Sequence, residues 1–288
     1  MSLGKYSMMR AKKHLGQHFL SDQNILGKIA EAAHLTKKDC VIEIGPGRGA
    51  LTEFLVEQAG EVIAVEKDHS LQTLLEEKFK NQSHLKIIFG DFLDFDWNEI
   101  DSRSFDRPLR GKLRTNGLDP RNDKVKVVGN IPYNISHPIL FRILEAREKM
   151  TTAVLTVQKE VALRWAALPG GREYGIPTVL LQAYGSVERL FDIQPGSFQP
   201  PPKVMSSVLR IQFGAPLYDI KEPQALTRLV RRAFGMRRKT LENNLKEFYP
   251  TEILKKALQR VQMDPKIRAE KISVREYVTL ANTLAELL

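Results

Sequence analysis

Cysteine is almost missing from this sequence, with Cys40 the single one among 288 residues. One cysteine cannot form an internal disulfide, so the composition excludes a disulfide-rich secreted scaffold and predicts a reducing compartment. Also missing are a run of roughly 18 apolar residues, as a membrane span needs, and an apolar region after the basic N-terminus, as a signal peptide needs. The sequence therefore predicts a cytoplasmic globular protein without a membrane partner.

Acidic residues are too few to balance the basic ones. There are 34 Asp and Glu against 44 Lys and Arg, and the formal net charge is +10. A basic excess favours a polyanionic partner, because Lys and Arg that neutralise phosphates release condensed counterions. Charge alone leaves two alternatives open, a nucleic-acid-binding protein and a basic protein that contacts no nucleic acid.

The pattern between Val41 and Gly90 alternates short β-branched runs with helical stretches, as is typical of a βαβαβ unit. Parallel strands joined by right-handed crossovers make a doubly wound, Rossmann-like α/β sheet, whose ligands bind at the carboxyl ends of the strands. The last two predicted strands lack a long helix between them and are expected to form a closing hairpin. The strands are predicted at 41–44, 62–65, 85–89, 125–128, 153–157, 187–193 and 204–213, and the helices at 50–58, 70–79 and 138–145.

Three parts are predicted along the chain, since its length exceeds the roughly 100–200 residues of a usual domain. Residues 1–38 form a basic arm and a helix that begins near Ser21, residues 39–215 form the α/β domain, and residues 216–288 form a helical domain. Within the α/β domain, residues 101–126 carry eight Lys and Arg against four Asp and Glu without apolar periodicity. This segment is predicted to be a surface insertion, either an added RNA contact or an exposed loop without a partner.

A glycine-rich loop, Glu43-Ile44-Gly45-Pro46-Gly47-Arg48-Gly49, follows the first predicted strand. Gly45 and Gly47 let a ligand approach the backbone, because a Cβ would block it. Glu66 ends the second strand, where a carboxylate can accept hydrogen bonds from a ribose diol, and Asp91 follows the third, where it can meet an adenine ring. A dinucleotide site and a turn without a ligand are the alternatives. The acidic and then apolar start of the loop favours S-adenosylmethionine, which has no pyrophosphate.

The fourth predicted strand leads into Asn130-Ile131-Pro132-Tyr133. An exocyclic adenine nitrogen is a poor nucleophile, because its lone pair is delocalised into the ring. The Asn130 side-chain oxygen and a backbone carbonyl held rigid by the following proline can accept both amino hydrogens and draw the nitrogen toward tetrahedral geometry. Tyr133 can stack on a base that is flipped out or presented in a single-stranded loop. The motif therefore predicts methylation of an adenine amino group, with a turn chosen for its Asn and Pro alone as the alternative.

A proline-rich loop from Ser197 to Val204 separates the last two predicted strands. Its prolines stiffen the loop, which could hold Phe198 against the second face of the base, while Lys203 could reach a phosphate. A purely structural loop is the alternative.

With these residues in place, the chain resembles the small-subunit (16S-type) ribosomal RNA adenine N6,N6-dimethyltransferases across nearly its full length. The matching segments extend from the arm into the helical domain. They are 15–20, the Gly45 loop, Glu66, 90–91, 130–133, 198–206, 237–241 and 268–273.

This resemblance implies a cofactor, a reaction and a partner. The cofactor S-adenosylmethionine would be contacted by His18, Leu20, Gly45, Glu66, Asp91 and Asn130. The implied reaction places two methyl groups on each of two adjacent adenines near the 3′ end of small-subunit RNA, late in subunit assembly. The implied partner is the small ribosomal subunit or its precursor, bound by a monomer without a metal. His18 stands where many relatives carry Asn, a change that keeps hydrogen-bonding ability.

The predicted RNA footprint is collective, since any one of its residues could equally lie on a solvated helix face. One part lies in the N-terminal arm, another is Lys203 of the proline-rich loop, and the third is a run of the helical domain that contains no acid. Its members are Arg10, Lys12, Lys13, His14, Lys203, Arg228, Arg231, Arg232, Arg237, Arg238 and Lys239.

Three other functions stay open at this point. A large-subunit RNA adenine methyltransferase of the antibiotic-resistance type shares the chemistry of residues 130–133, although the matches at 200–206 and 237–241 argue against it. An assembly or transcription factor that has lost catalysis is disfavoured by intact Gly45, Glu66, Asp91 and Asn130. An NAD-linked oxidoreductase would need a catalytic His, Lys or Tyr pairing that we do not find in the sequence.

Overall fold

The computed structural model describes Lys12 and residues 16–100 and 124–288. Arg10, Lys13, His14 and most of the predicted 101–126 insertion lie outside these residues. The chain divides into two compact units, one made of residues 1–159 and 189–213 and the other of residues 160–188 and 214–288. None of the described helices is long and apolar enough to cross a membrane.

Strands and helices alternate along the first unit, and helices dominate the second. The strands are β1 (Phe19–Leu20), β2 (Cys40–Ile44), β3 (Glu61–Glu66), β4 (Leu85–Phe89), β5 (Val125–Asn130), β6 (Met150–Gln158), β7 (Gly185–Ile193), β8 (Phe198–Gln199) and β9 (Ser206–Phe213). The helices are α1 (Gln23–Ala32), α2 (Ala50–Gln58), α3 (Gln72–Lys78), α4 (Ser136–Glu145), α5 (Lys159–Trp165), α6 (Ile176–Tyr184), α7 (Pro223–Ala233), α8 (Leu241–Leu245), α9 (Thr251–Arg260) and α10 (Val274–Leu287).

The main sheet has seven strands in the order β4-β3-β2-β5-β6-β9-β7. Strands β2 to β6 pair in parallel, with Val41 of β2 opposite Val62 of β3 and Lys126 of β5. Their apolar runs suit strands that are covered on both faces. The strand order reverses at β2, the position where a doubly wound sheet opens a crevice for a ligand.

The last strand in the chain, β9, sets this fold apart from a dinucleotide-binding domain. Strand β9 is antiparallel to β6 and lies between β6 and β7, whereas the dinucleotide fold has the order 3-2-1-4-5-6 in a mostly parallel sheet. The predicted closing hairpin is confirmed in that β7 and β9 are neighbours. This topology argues against the NAD-linked alternative.

Local capping explains where several helices begin. The Asp22 side chain accepts hydrogen bonds from the backbone of Asn24 and Ile25 at the start of α1, and Ser273 and Glu276 form a capping box at the start of α10. The predicted helix 70–79 is divided into a 3-10 turn, His69–Leu71, and α3. The reason is that Asp68 caps the turn with its own side chain.

The core of the first unit lies between the sheet and the helices α1 and α2. Leu26 and Ile29 of α1 pack with Leu51 and Leu55 of α2 against strand residues that include Val62. These side chains are at most 5% exposed.

The second unit contains a segment that the sequence prediction placed in the α/β domain. Residues 160–188 belong to the helical unit, and α6 packs against α7 and α10. The apolar α6 side chains Val179, Leu180 and Leu181 are buried, as are Trp165, Tyr174 and Tyr277. Apolar periodicity predicts a buried helix face without showing which core that face joins, so a single boundary near residue 215 missed this segment.

We expect Leu55→Ala to destabilise the protein by about 2–5 kcal/mol, because it removes a fully buried side chain and leaves a cavity. Urea unfolding followed by circular dichroism measures the change. The matched control is Leu168→Ala, at a leucine that is 75% exposed, where a change within about 0.5 kcal/mol is expected. Equal effects at both positions would contradict the packing described above.

Candidate active site

A cavity of about 320 Å³ opens in the first unit at the carboxyl ends of the parallel strands. It lies where the strand order reverses, and its size falls within the range of small-molecule sites. The cavity is lined by the loops after β2, β3, β4 and β5 and by the N-terminal arm. Every residue predicted to contact the cofactor lines it, namely His18, Leu20, Gly45, Gly47, Glu66, Asp91 and Asn130.

The loop after β2 turns through glycines in the left-handed region, with φ of +67° at Gly45 and +58° at Gly47. A Cβ on Gly45 would project into open space with no heavy atom within 4 Å, whereas one on Gly47 would lie 2.9 Å from the Phe19 ring. Gly45 therefore leaves room for a ligand against the backbone, and Gly47 lets Phe19 close over the turn.

Glu66 is buried at the end of β3, where each carboxylate oxygen accepts a backbone hydrogen bond. Oε2 accepts from Gly47 N at 2.9 Å and Oε1 from Asp68 N at 2.7 Å. Burial raises the pKa of this carboxyl, against the effect of the backbone hydrogen bonds. Each oxygen keeps a further lone pair, so the group is fixed and can still accept a ribose hydroxyl.

Asp91 also lines the cavity, after β4, the strand that pairs with β3. Oδ1 accepts from Leu93 N at 3.0 Å and Oδ2 from Lys67 Nζ at 2.5 Å. Burial would raise the pKa of Asp91, but the hydrogen bonds from Lys67 and Leu93 and the charge of Lys67 together outweigh it and lower the pKa. The side chain is thus an ionised acceptor, as recognition of an adenine amino group requires.

Asn130 ends β5 with its side-chain amide held in one orientation. Nδ2 donates to His18 O at 2.9 Å, and the next residue is tied to β6 by Ile131 N donating to Thr156 O at 3.0 Å. Within the described part of the chain, neither Asn130 Oδ1 nor Ile131 O accepts a hydrogen bond. Two acceptors are therefore available at the cavity.

Tyr133 supplies an aromatic ring at the same place. Its hydroxyl is 2.6 Å from Ser206 Oγ, and its ring stacks on His18 with centroids 5.6 Å apart and planes at 27°. Burial raises the pKa of the Tyr133 hydroxyl, so the group stays neutral. The bond to Ser206 holds the ring plane in place.

Phe198 is the predicted site residue that the structure does not bring to the cavity. Strand β8 pairs with β1 so that Phe198 lies opposite Leu20, and the Phe198 ring is 3% exposed within the core cluster. Successive side chains of a strand point to opposite faces, and it is Gln199 that lines the cavity. The prediction that Phe198 stacks on a base therefore does not match this arrangement.

The basic residues of the predicted RNA footprint have different surroundings. Lys12 Nζ lies 2.6 Å from Asp68, the Arg232 guanidinium lies 4.4 Å above the Phe248 ring, and Arg237 donates to the carbonyls of Arg172 and Tyr174. Exposed at the surface are Lys203, Arg228, Arg231, Arg237, Arg238 and Lys239.

Sequence reasoning missed Glu43, which also lines the cavity. It is 1% exposed, and Oε2 accepts from Thr52 Oγ1 at 2.6 Å. Burial raises the pKa of Glu43 to about 8, against the effect of that hydrogen bond. The available signal was an acid within the apolar strand Cys40–Ile44.

The missed residues Gln17 and Asp68 gave no comparable signal, because their contacts are distant in sequence.

Taken together, the glycine turn, the two anchored carboxylates at the ends of β3 and β4, and the paired acceptors fit one class of protein, the S-adenosylmethionine-dependent methyltransferases. Open space at Gly45 and the anchored Glu66 fit this cofactor. When bound, it supplies a methyl group activated by a sulfonium. Across residues 12, 16–100 and 124–288, no group of three or more His, Cys, Asp or Glu side chains could hold a metal ion.

A family model described as ribosomal RNA adenine dimethylase matches residues 8–286. The chain belongs to this family, and it is therefore an enzyme that dimethylates adenine in ribosomal RNA. Its membership excludes the NAD-linked alternative.

Relatives agree with this assignment, and solved structures share the fold. Proteins named ribosomal RNA small subunit methyltransferase A include one from Geobacter sulfurreducens, 41% identical over 96% of each chain, and one from Halothermothrix orenii, 40% identical over 97% of this chain and 90% of that one. The fold is that of a dimethyladenosine transferase from Plasmodium falciparum, with a TM-score of 0.77 at 24% identity over 94% of this chain and 98% of that one. It is also similar to the 23S rRNA methyltransferase ErmE, with a TM-score of 0.68 at 24% identity over 93% and 99%.

We expect Glu43→Gln to flatten the pH dependence of stability. Because its pKa is raised from 4.5 to about 8, Glu43 contributes stability that is full below the unfolded pKa and is lost as pH rises through the folded pKa. Each pKa unit of difference corresponds to about 1.4 kcal/mol. Urea unfolding at several values from roughly pH 5 to pH 8.5 should show the variant losing less stability than the parent.

Burial also raises the pKa of Glu61, to about 7. Its contribution to the pH dependence of stability is present in both proteins and cancels in the comparison. The control is Glu57→Gln, at an exposed position of α2, which should keep the parent profile. A Glu43→Gln profile parallel to that of the parent would contradict the assignment.

Proposed function

We propose that the protein dimethylates the N6 amino groups of two adjacent adenines in a loop near the 3′ end of small-subunit ribosomal RNA, late in small-subunit assembly. The observation that carries the chemistry is the pair of acceptors, Asn130 Oδ1 and Ile131 O, at the cavity. The names of the relatives support the small subunit as the source of the RNA. We expect the enzyme to act as a monomer.

The two acceptors address the low nucleophilicity of the adenine amino group. Each can accept one of its two hydrogens, which draws the nitrogen toward tetrahedral geometry and localises its lone pair. Asn130 cannot turn its amide away without losing the hydrogen bond to His18 O, and the Ile131 carbonyl precedes Pro132 in a restrained backbone. After one transfer a single hydrogen remains, and either acceptor can hold it for the second.

No strong base is needed for this reaction, because the nitrogen becomes acidic once it carries the new methyl group. The remaining requirement is orientation. The Tyr133 ring, fixed through Ser206, offers a face for a base that has left its stack. Phe198 has no part in this proposal, since its ring belongs to the core.

Recognition of the RNA is assigned to exposed cations. Arg231, Arg238 and Lys239 of the helical unit and Lys203 of the first unit are exposed, and such side chains can neutralise backbone phosphates. Arg232 and Arg237 are engaged with aromatic rings and backbone carbonyls. We therefore assign them to shaping the surface of the helical unit.

The central experiment is transfer of labelled methyl groups from S-adenosylmethionine to purified small subunits that lack the modification. We expect two methyl groups on each of two adjacent adenines, located by mass spectrometry of the RNA. Asn130→Ala should lower the single-turnover rate by about 10²–10³-fold, the effect of removing one preorganised polar group. Binding of the subunit should stay unchanged, since Asn130 acts on the reacting nitrogen.

Asn81→Ala, at an exposed position after α3, serves as the matched control and should react at the parent rate. Label confined to large-subunit RNA would favour the antibiotic-resistance type of activity and overturn the proposal. Full activity of Asn130→Ala would overturn the chemistry alone.

We expect Arg238→Gln and Lys239→Gln each to weaken subunit binding and to reduce the salt dependence. Each lost phosphate contact lowers the slope of log affinity against log salt by about 1. Filter binding at several salt concentrations measures both quantities. The control is Lys80→Gln, an equal charge change outside the predicted footprint, and an equal loss of slope there would show that net charge alone is responsible.

A further inference from the structure

Asp68 is a buried acid beside the cavity that does not line it. Only 4% of Asp68 is exposed, and it follows Glu66 and Lys67 in the loop after β3. Its carboxylate accepts four hydrogen bonds. Oδ1 accepts from Lys12 Nζ at 2.6 Å and from Ser70 N and Oγ at 3.0 and 2.6 Å, and Oδ2 accepts from Gln17 Nε2 at 3.0 Å.

These hydrogen bonds differ in what they can explain. The two from Ser70 are local and cap the turn before α3. Those from Lys12 and Gln17 span 56 and 51 residues and attach the described part of the N-terminal arm, Lys12 and residues 16–20, to this loop. Lys12 N also donates to Gln17 Oε1 at 2.9 Å, which closes a ring of three residues. We call Lys12, Gln17 and Asp68 the arm clamp.

Charge holds the arm clamp together. Burial would raise the pKa of Asp68, but hydrogen bonds from Lys12, Ser70 and Gln17 outweigh it and hold the pKa well below its ordinary value. A buried carboxylate that loses its cationic partner becomes strongly unfavourable. If Lys12 left Asp68 to bind RNA, the buried carboxylate would lose its cation. This cost disfavours a role for Lys12 as an RNA contact.

The arm clamp leads to both halves of the active site. On one side, Asp68 N donates to Glu66 Oε1 at 2.7 Å, the carboxylate placed for the ribose. On the other, Gln17 is followed by His18, whose carbonyl accepts from Asn130 Nδ2 at 2.9 Å. Between them, Gln17 and His18 form part of the cavity wall.

We propose that Asp68 is a positioning residue that, through Lys12 and Gln17, holds the N-terminal arm over the cofactor cavity and thereby fixes the Asn130 amide. The expected effect on cofactor binding rests on the family's activity. The expected effect on the Asn130 amide rests on the proposed function. Lys12 acts inside the enzyme, as the cation that keeps Asp68 in place.

The first test measures binding of S-adenosylmethionine by calorimetry without RNA. Lys12→Met removes the ammonium group, keeps an unbranched side chain close to the lysine stem in length and lies outside the Ser70 cap, and Asp68→Asn keeps the size of the acid. We expect each to weaken cofactor binding by about tenfold, within the usual range of coupling between sites. The double variant should be no weaker than either single one, because both remove the same ion pair. Lys12→Arg should restore most of the affinity.

Asp39→Asn is the matched control. Asp39 accepts from Thr36 N and Oγ1 at 2.6 and 2.8 Å and from Lys126 Nζ at 3.2 Å, the same kinds of donor as at Asp68. Asp39 precedes β2 and so lies at the amino end of that strand, whereas the cavity lies at the carboxyl ends of the strands. This variant should bind the cofactor as the parent does, even if its melting temperature falls as much as that of Asp68→Asn.

A second test follows the arm itself. Hydrogen exchange at residues 17–20 should slow when the cofactor binds the parent, and Lys12→Met should lose this protection. With saturating cofactor, Lys12→Met should also methylate its RNA more slowly in a single turnover, since the Asn130 amide is then less well held.

Three outcomes would overturn the inference. They are unchanged cofactor affinity in Lys12→Met, additive effects in the double variant, and loss of RNA binding alone. Because the calorimetry contains no RNA, an error about the RNA substrate would leave its result intact. Failure of the arm clamp and failure of the proposed function can therefore be told apart.

Discussion

Parallel pairing of β2 with β3 and β5 is the constraint on which the rest of this site depends. It brings the carboxyl ends of three strands to one edge of the sheet, with the reversal of strand order at β2. The glycine turn, Glu66 and Asn130 come from separate parts of the sequence and meet because each follows one of these strands. Strand order therefore places these three groups, since each lies at the end of a buried strand, whereas the N-terminal residues that complete the cavity are placed by long-range contacts.

The cavity region keeps three carboxyl groups away from water, and each is accommodated differently. Glu43 has Thr52 as its hydrogen-bond donor, and its pKa is raised to about 8. Glu66 has two backbone donors, and its pKa is raised by burial. Asp68 has a lysine, and its pKa is lowered. A buried charge needs a partner, whereas a neutral acid needs a single good hydrogen bond. This difference explains why Lys12, the cation of the arm, lies at Asp68, the carboxyl group whose pKa is lowered.

Prediction from the sequence was most successful where the signal is local. The glycine turn and the acids at strand ends were located correctly, because backbone conformation and strand ends are encoded within a few residues. Helix α2 has the predicted bounds of 50–58. The surroundings of Phe198 and Lys12 were not predicted, for the opposite reason. The pairing of β8 with β1 sends the Phe198 ring into the core, and Asp68, 56 residues away in sequence, engages Lys12.

The sequence by itself determined the class of fold and the cofactor, and it identified the residues on which the proposed chemistry of the acceptor nitrogen depends, because these are residue types at the ends of consecutive strands. Tertiary structure decided which face of β8 meets the cavity, that residues 160–188 join the helical unit, and that the arm is attached through Asp68. Each of these depends on a contact between residues far apart in the chain. Such a contact leaves no periodicity in the sequence, since its energy arises only when the folded elements exclude water and bring the two partners together.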